Sequence, residues 1–437
     1  MLFKSTLRVC GCLLLLFNTA LWAEPGFNPD GHSTGIQSIN LHDAISKTFE
    51  HNPALRAFSH ALKAQDGRQL QASLAASPEV SFVIEDALGS GDFKEFDNAQ
   101  ATLGIAWVLE GGIRQGYRDV ARAGASSVSI QATIKRLDAA AETARLYIVC
   151  LANQARLHNA VKTVELAKET VFAVRKRVAA GKAPDAELAR AQAELARRQL
   201  AHEDIDHELR SAIRLLAAQW GETQPDFTQV AGNIFSLPAA VAFKTLKTLK
   251  TQLEHSPGFT RLMSEKRLMQ AQLKLAESQS KPAWRVNLGV RHFEMTNDQA
   301  LVAGFSIPFG ERSRNSGNII EARENLSQTQ VQADALKVHF ETMLYVLSEE
   351  LQHSLHRIDA YRGDIVPQLE KALKETRRAY NLGRYGYLEW RSVQADLLDA
   401  RSALVESSID AHLKVIEIER LTGVPMEKLV AQLAGKY

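Results

Sequence analysis

Slid along itself by about 200 residues, the sequence matches in order, the mark of a duplicated unit. His51-Asn52-Pro53 answers His255-Ser256-Pro257, and Pro78 answers Pro282, at an offset of 204. Gly181 answers Gly383, Gln192 answers Gln394 and Gly221 answers Gly423, all at 202. The small drift is one shortened loop in the second copy. A fold compatible with this pattern is built twice from one set of elements.

Each copy has the same grammar. It opens with an N-cap and a first-turn proline, Asn52-Pro53 or Ser256-Pro257, where the missing N–H of proline costs nothing. A helix is predicted from there to about Ser77 or Ser280. Two strands follow. Their apolar positions alternate: Val80, Phe82, Ile84; Leu103, Ile105, Trp107, Leu109; Trp284, Val286, Leu288, Val290; and Phe305, Ile307, Phe309. Between them lie Ser81, Thr102, Gly104, Ala106, Arg285, Asn287, Arg291, Gly304 and Ser306, all small or polar. A period of two with one apolar side suits a membrane barrel strand, apolar outward and polar inward; a soluble sandwich hairpin is the alternative. The loops at Gly89–Asn98 and Thr296–Gln299 are polar.

From about Arg118 to Ala180 there is no proline and one early glycine, Gly124, so the spacing predicts a helix approaching 90 Å at about 1.5 Å per residue. Gly181-Lys182-Ala183-Pro184 ends it, and Asp185 is placed to cap the next helix. A heptad seam then runs Leu188, Leu195, His202, Leu209, Leu216, with Trp390, Leu397, Leu404, Ala411 and Ile418 in the second copy. Such a seam predicts helices packed side by side as in a coiled coil. Gly363 and Pro367 predict a kink or break in the second long helix.

The start of the chain reads as a secretory signal peptide over residues 1–23. Lys4 and Arg8 precede an apolar run that gives way to small residues ending at Ala23. Cys10 and Cys12 are on the wrong side for a lipid-attachment cysteine and leave with the signal, so Cys150 remains as a packed, structural thiol. The chain carries 52 basic and 50 acidic residues; without Lys4 and Arg8 the counts are equal, which gives no electrostatic footprint for nucleic acid. No later segment has 18 uncharged apolar residues in a row, so no transmembrane helix is expected. Phosphate-loop, nucleophile-elbow and zinc-protease motifs are missing, and neither an enzyme nor a cofactor is expected.

Four strands cannot close a barrel, and open edges in lipid cost several kcal/mol per unsatisfied group. Several chains must share one barrel: two would give eight strands and three would give twelve. His353, His356 and Asp359, at i, i+3 and i+6 of one helix, have spacing that permits metal ligation. Thirteen scattered histidines generate such sets by chance, so a solvated helix face is the expectation and no metal site is assigned.

The doubled motifs, Ser77-Pro78-Glu79, the segment from Ile84 to Gly91, the stretch from Leu109 to Arg118 and Ile307-Pro308-Phe309-Gly310 together resemble the TolC-type outer-membrane factors, within them the CzcC-like branch of cobalt-zinc-cadmium efflux. The resemblance covers nearly the whole mature chain. It implies an internally duplicated α+β membrane protein: a homotrimer with a 12-strand β-barrel in outer-membrane lipid joined to a 12-helix α-barrel, with the repeats at 24–225 and 226–437. It also implies partners, a periplasmic membrane-fusion adaptor and an inner-membrane pump of the resistance-nodulation-division type, and export of heavy-metal cations. Drug efflux or type I protein secretion is the alternative cargo, and a periplasmic coiled-coil adaptor is a further alternative that has no use for four alternating strands. The family's tip pattern, a glycine followed six residues later by an acid, carries over to Gly181, Asp185 and Glu187 and to Gly383 and Glu389. Glu389 is implied at the pore entrance, where three copies would attract cations; an ordinary helix-start acid is the competing reading. Ser392 and Arg190 stand where the family often has a second acid.

Overall fold

The structure is a computed structural model describing residues 38–236, 246–308 and 315–424. The signal-peptide reading of residues 1–23, with Cys10 and Cys12, and the positions of Phe309 and Gly310 lie outside the described residues.

The elements recur in the order the repeat demands. In the first copy they are β1 (Ser38–Ile39), α1 (Leu41–His51), α2 (Pro53–Ser73), β2 (Glu79–Glu85), β3 (Gln100–Leu109), α3 (Ile113–Ala179) and α4 (Asp185–Ala217). The second has β4 (Gln229–Val230), α5 (Leu246–Glu254), α6 (Pro257–Gln279), β5 (Trp284–Phe293), β6 (Asp298–Ser306), α7 (Ser316–Ala360), α8 (Val366–Asn381) and α9 (Tyr387–Thr422). The caps behave as the sequence dictates: the Asn52 side chain accepts from the Leu55 N–H at 3.0 Å, and the Ser256 hydroxyl accepts from the Phe259 N–H at 3.2 Å. The helix α3 has 67 residues, about 100 Å. Its counterpart is interrupted at Tyr361–Ile365 by one turn of π-helix holding Gly363, after which Pro367 sits in the first turn of α8, where it needs no N–H partner.

Three boundaries differ from expectation. The helix α2 ends at Ser73 rather than Ser77, because Leu74 already has extended backbone and the residue before Pro78 is driven the same way. The helix α3 begins at Ile113, five residues before Arg118. Gly116 lets its first turn press on α6, since a Cβ there would stand 2.8 Å from Leu275 Cδ1. The second hairpin turn lies two residues earlier than Thr296–Gln299, at 294–297: Asp298 and Gln299 are paired strand residues, and Asn297 turns the chain with φ +54°.

Helix columns form by end-to-end stacking. The end of α4 meets the start of α2, where Asn52 Nδ2 donates to the Gln219 carbonyl at 2.7 Å; likewise the end of α9 meets α6 at Gly423 and Pro257. The described residues therefore form four columns: α3, α4 with α2, α7 with α8, and α9 with α6. Buried heptad positions Leu209, Leu216, Leu397, Ala411 and Ile418 hold them together. The main core gathers where α1, α5 and the two-stranded β1–β4 ladder wrap the columns. There Tyr147 is 1% exposed and its hydroxyl donates to the Ala231 carbonyl. Cys150 is fully buried within it, and burial pushes its thiol up to about 12.

Candidate functional site

The chain places chemistry at its two ends. At one end β2, β3, β5 and β6 form an antiparallel sheet in that order, so β3 of the first copy pairs with β5 of the second over its whole length, Leu109 opposite Trp284 and Gln100 opposite Phe293. This register puts the apolar positions predicted for the first three strands on one face, Val80 and Phe82 beside Ile105 and Leu103, then Leu288 and Val290. The fourth strand lies earlier than predicted, at Asp298–Ser306, so that it brings Leu301, Ala303 and Phe305 to that face, and of the predicted Phe305, Ile307 and Phe309 only Phe305 lies in it. That face is bare: Val80 is 74% exposed, Phe82 65%, Leu301 87% and Phe305 74%. Burial of such side chains elsewhere contributes roughly 1.5–3 kcal/mol each, so a sheet like this stays in water only at a large cost.

The opposite face is polar and its charges are matched. Arg285 bonds Glu79 at 2.7 Å across β3. Arg291 reaches Glu85 at 2.8 Å, Thr102 Oγ1 at 2.9 Å and Gln100 Oε1 at 3.0 Å. Gly104, Gly289 and Gly304 keep it shallow; a Cβ on Gly289 would lie 2.7 Å from the Leu103 carbonyl oxygen. Within one chain β2 and β6 are edge strands. The sheet is suited to face lipid on one side and water on the other, and to continue through its edges onto further strands. Among the described residues no helix is long and apolar enough to cross a membrane.

At the other end, the α3–α4 and α8–α9 connections are the two tips. Both are built alike. Gly181 has φ +65° and Gly383 has φ +76°. In each, the glycine N–H bonds three residues back, to Val178 or Tyr380 at 2.9 Å, and the next N–H bonds five back, Lys182 to Arg177 at 2.8 Å and Arg384 to Ala379 at 2.9 Å. This satisfies the last carbonyls of each helix, and only a residue at ease in left-handed backbone completes it. Asp185 does not cap: Pro184 occupies that position without a side-chain bond, and Asp185 is the first helical residue, where its carboxylate faces the positive end of the dipole.

Beneath the turns lies a second, separate core of Val171, Val174, Ala191, Tyr380, Tyr387 and Trp390. Tyr380 and Trp390 stack with ring centroids 5.0 Å apart, and the Trp390 Nε1 is buried without a partner. Arg177 lies 4.5 Å over the Tyr380 ring and donates to the Tyr380 carbonyl and, at 3.2 Å, to the Lys182 carbonyl, tying one tip to the other. Glu187 accepts from the Tyr380 hydroxyl at 3.3 Å, and burial followed by that carboxylate pushes the phenol up to about 12. Glu389 instead is exposed and folds back over its own helix start, 2.9 Å from where a Gly386 Cβ would stand. The repeat-equivalent acids are thus not equivalent in space: one braces the tip core and the other faces solvent. Sequence reasoning missed Arg177 and Tyr380 in the tip; nothing local in the run Arg175-Lys176-Arg177 says which of the three will span to the other turn.

His353, His356 and Asp359 are exposed along α7, and no group of three or more histidine, cysteine or acidic side chains placed to hold a metal occurs among the described residues.

Residues 44–222 match the family model described as outer membrane efflux protein. The cobalt-zinc-cadmium resistance protein CzcC of Cupriavidus metallidurans is 26% identical over 387 residues, which is 88% of this chain and 90% of that protein. The nickel and cobalt resistance protein CnrC of the same organism is 26% identical over 289 residues, 65% of this chain and 67% of its own length. Among solved structures, the outer-membrane channel OprN has the same fold, with a TM-score of 0.73 over 88% of this chain and 90% of its own at 14% identity. The resemblance to TolC-type, CzcC-like outer-membrane factors read from the sequence is borne out by these matches.

Proposed function

We propose that this chain, similar along most of its length to metal-resistance efflux components, is the outer-membrane exit duct of a tripartite efflux system that exports heavy-metal cations. In this reading three copies share a twelve-strand barrel in outer-membrane lipid, reached after removal of a signal peptide. Their columns make a twelve-helix periplasmic tunnel. The tips, with Gly181, Asp185, Glu187, Gly383 and Glu389, meet a membrane-fusion adaptor, and the adaptor joins the tunnel to an inner-membrane pump of the resistance-nodulation-division type. Glu389 is the tip acid placed to stand at the pore entrance.

The observation that carries the reading is the four-stranded sheet with one bare apolar face, one charge-matched polar face and two open edges. Closure with further copies satisfies the edges, buries the apolar face in lipid and leaves the polar face lining water. Three copies rather than two follow from the family likeness. Metal cargo rests on the relatives whose names state metal resistance.

The test is deletion of the gene and measurement of growth on cobalt, zinc and cadmium beside growth on lipophilic drugs, with native mass spectrometry of the protein extracted from outer membranes. Loss of metal tolerance and a three-chain mass are expected. A stable monomer refutes the shared barrel, and sensitivity to drugs alone moves the cargo to the alternative.

A further inference from the structure

The two tips share a backbone but not a surface. At equivalent positions the first has Ala180, Ala183 and Ala186 and the second has Leu382, Tyr385 and Leu388. The three large side chains are 61%, 51% and 57% exposed. The tip core uses Tyr380, Tyr387 and Trp390 and leaves these three outside it. Exposed apolar side chains gathered on one turn, where a duplicate of the same turn manages with alanine, are not needed to form the turn.

Charge is concentrated at the same end. Residues 171–190 contain five basic and two acidic side chains, and residues 373–392 again contain five and two, in a chain whose totals are 52 and 50. Arg175, Lys176, Lys182, Arg378 and Arg384 are exposed and make no ion pair. At the far end of the molecule the sign reverses: the hairpin segment 85–98 holds Glu85, Asp86, Asp92, Glu95 and Asp97 against Lys94 alone. Glu389 therefore stands among a majority of cations and does not set the sign of the tip.

We infer that the tip end is a basic collar, with an apolar anchor only on its second turn, and that it docks an acidic protein surface. This rests on the duct reading, which places a periplasmic protein at the tips. Complementary charge guides encounter and rejects wrong partners, while buried apolar side chains supply most of the affinity. Anionic lipid offers the same charge. It fits less well, because the apolar side chains are confined to one of two neighbouring turns and form no continuous inserting face.

The test uses the full-length purified protein. Binding of fluorescent poly-L-glutamate is followed by anisotropy at low and high salt, beside co-sedimentation with phosphatidylglycerol vesicles. Poly-L-glutamate is expected to bind, to weaken several-fold in Lys182→Gln/Arg384→Gln, and to weaken with salt as screening shortens to about 8 Å at physiological ionic strength. The exposed pair Lys135→Gln/Lys337→Gln should bind as the parent does. In cells, Leu382→Ala/Tyr385→Ala/Leu388→Ala gives the second tip the first tip's side chains and should abolish metal tolerance at parental trimer yield. The inference is overturned if the tip variant binds poly-L-glutamate like the parent or if the vesicles bind in preference. It is equally overturned if the alanine variant keeps full tolerance or loses the trimer, which would place those side chains between protomers. A deletion strain with no metal phenotype refutes the duct reading instead, and poly-L-glutamate binding still decides the collar.

Discussion

The turn at Gly383 offers a graded perturbation. Its φ of +76° is left-handed, and the space around it is nearly empty: an added Cβ would meet only Arg177 Nη2, at 3.8 Å. A substitution there costs backbone strain and no clash. For an L-residue that strain is roughly 1–2 kcal/mol. Unwinding the turn instead forfeits the Gly383 and Arg384 N–H bonds, both 2.9 Å, at about 1 kcal/mol each, so the two routes are nearly matched and the turn is expected to rearrange. Asparagine tolerates left-handed backbone, alanine less so, and β-branched valine least. Function should therefore fall in the order Gly383→Asn, Gly383→Ala, Gly383→Val. The sheet and the main core, tens of ångströms away, stay intact. Trimer yield, adaptor cross-linking and metal tolerance measured across the series are the assay. Normal export by Gly383→Val, or an order that ignores left-handed propensity, refutes the claim that tip geometry governs docking; equal loss of trimer across the series refutes the claim that the damage is local.

Three further outcomes follow from buried groups. His412 is buried on α9, its Nε2 donating to the Ile234 carbonyl at 2.9 Å, and burial pulls its pKa from 6.5 down to about 4. The folded value lies below the unfolded one, so stability is complete above about pH 6.5 and falls toward pH 4 by about 1.4 kcal/mol per unit. His412→Gln should flatten that part of the Tm profile, and an unchanged slope would contradict the assignment. Cys150 should resist alkylation in the native protein and react once denatured; three reactive thiols instead of one would show that Cys10 and Cys12 are retained. Trp390 is fully buried, so Trp390→Ala should cost about 3–5 kcal/mol and expose the tip to protease. Trp390→Phe keeps the stacking and removes an unpartnered N–H, and a similar loss in both variants would argue against packing as the cause.

The sequence alone determined whatever is written within one turn or one strand. The proline starts, the left-handed glycines at 181 and 383, the apolar alternation of Val80, Leu103, Leu288 and Phe305, the heptad seam and the interruption at Gly363 all depend on neighbours a few residues away. The duplication then fixed their order. The tertiary structure decided which distant partners meet. Pairing of β3 with β5 joins residues as distant as Gln100 and Phe293, and only that register sets Arg285 across from Glu79 and makes one face charge-matched. The stacking of α4 on α2 depends on Asn52 finding the Gln219 carbonyl. The fate of the tip acids was likewise invisible: Glu187 and Glu389 occupy the same step of the repeat, yet Tyr380 reaches only the first and leaves the second to solvent. Periodicity reports which side of an element a residue takes; it cannot report what stands there, because that depends on how separate elements dock.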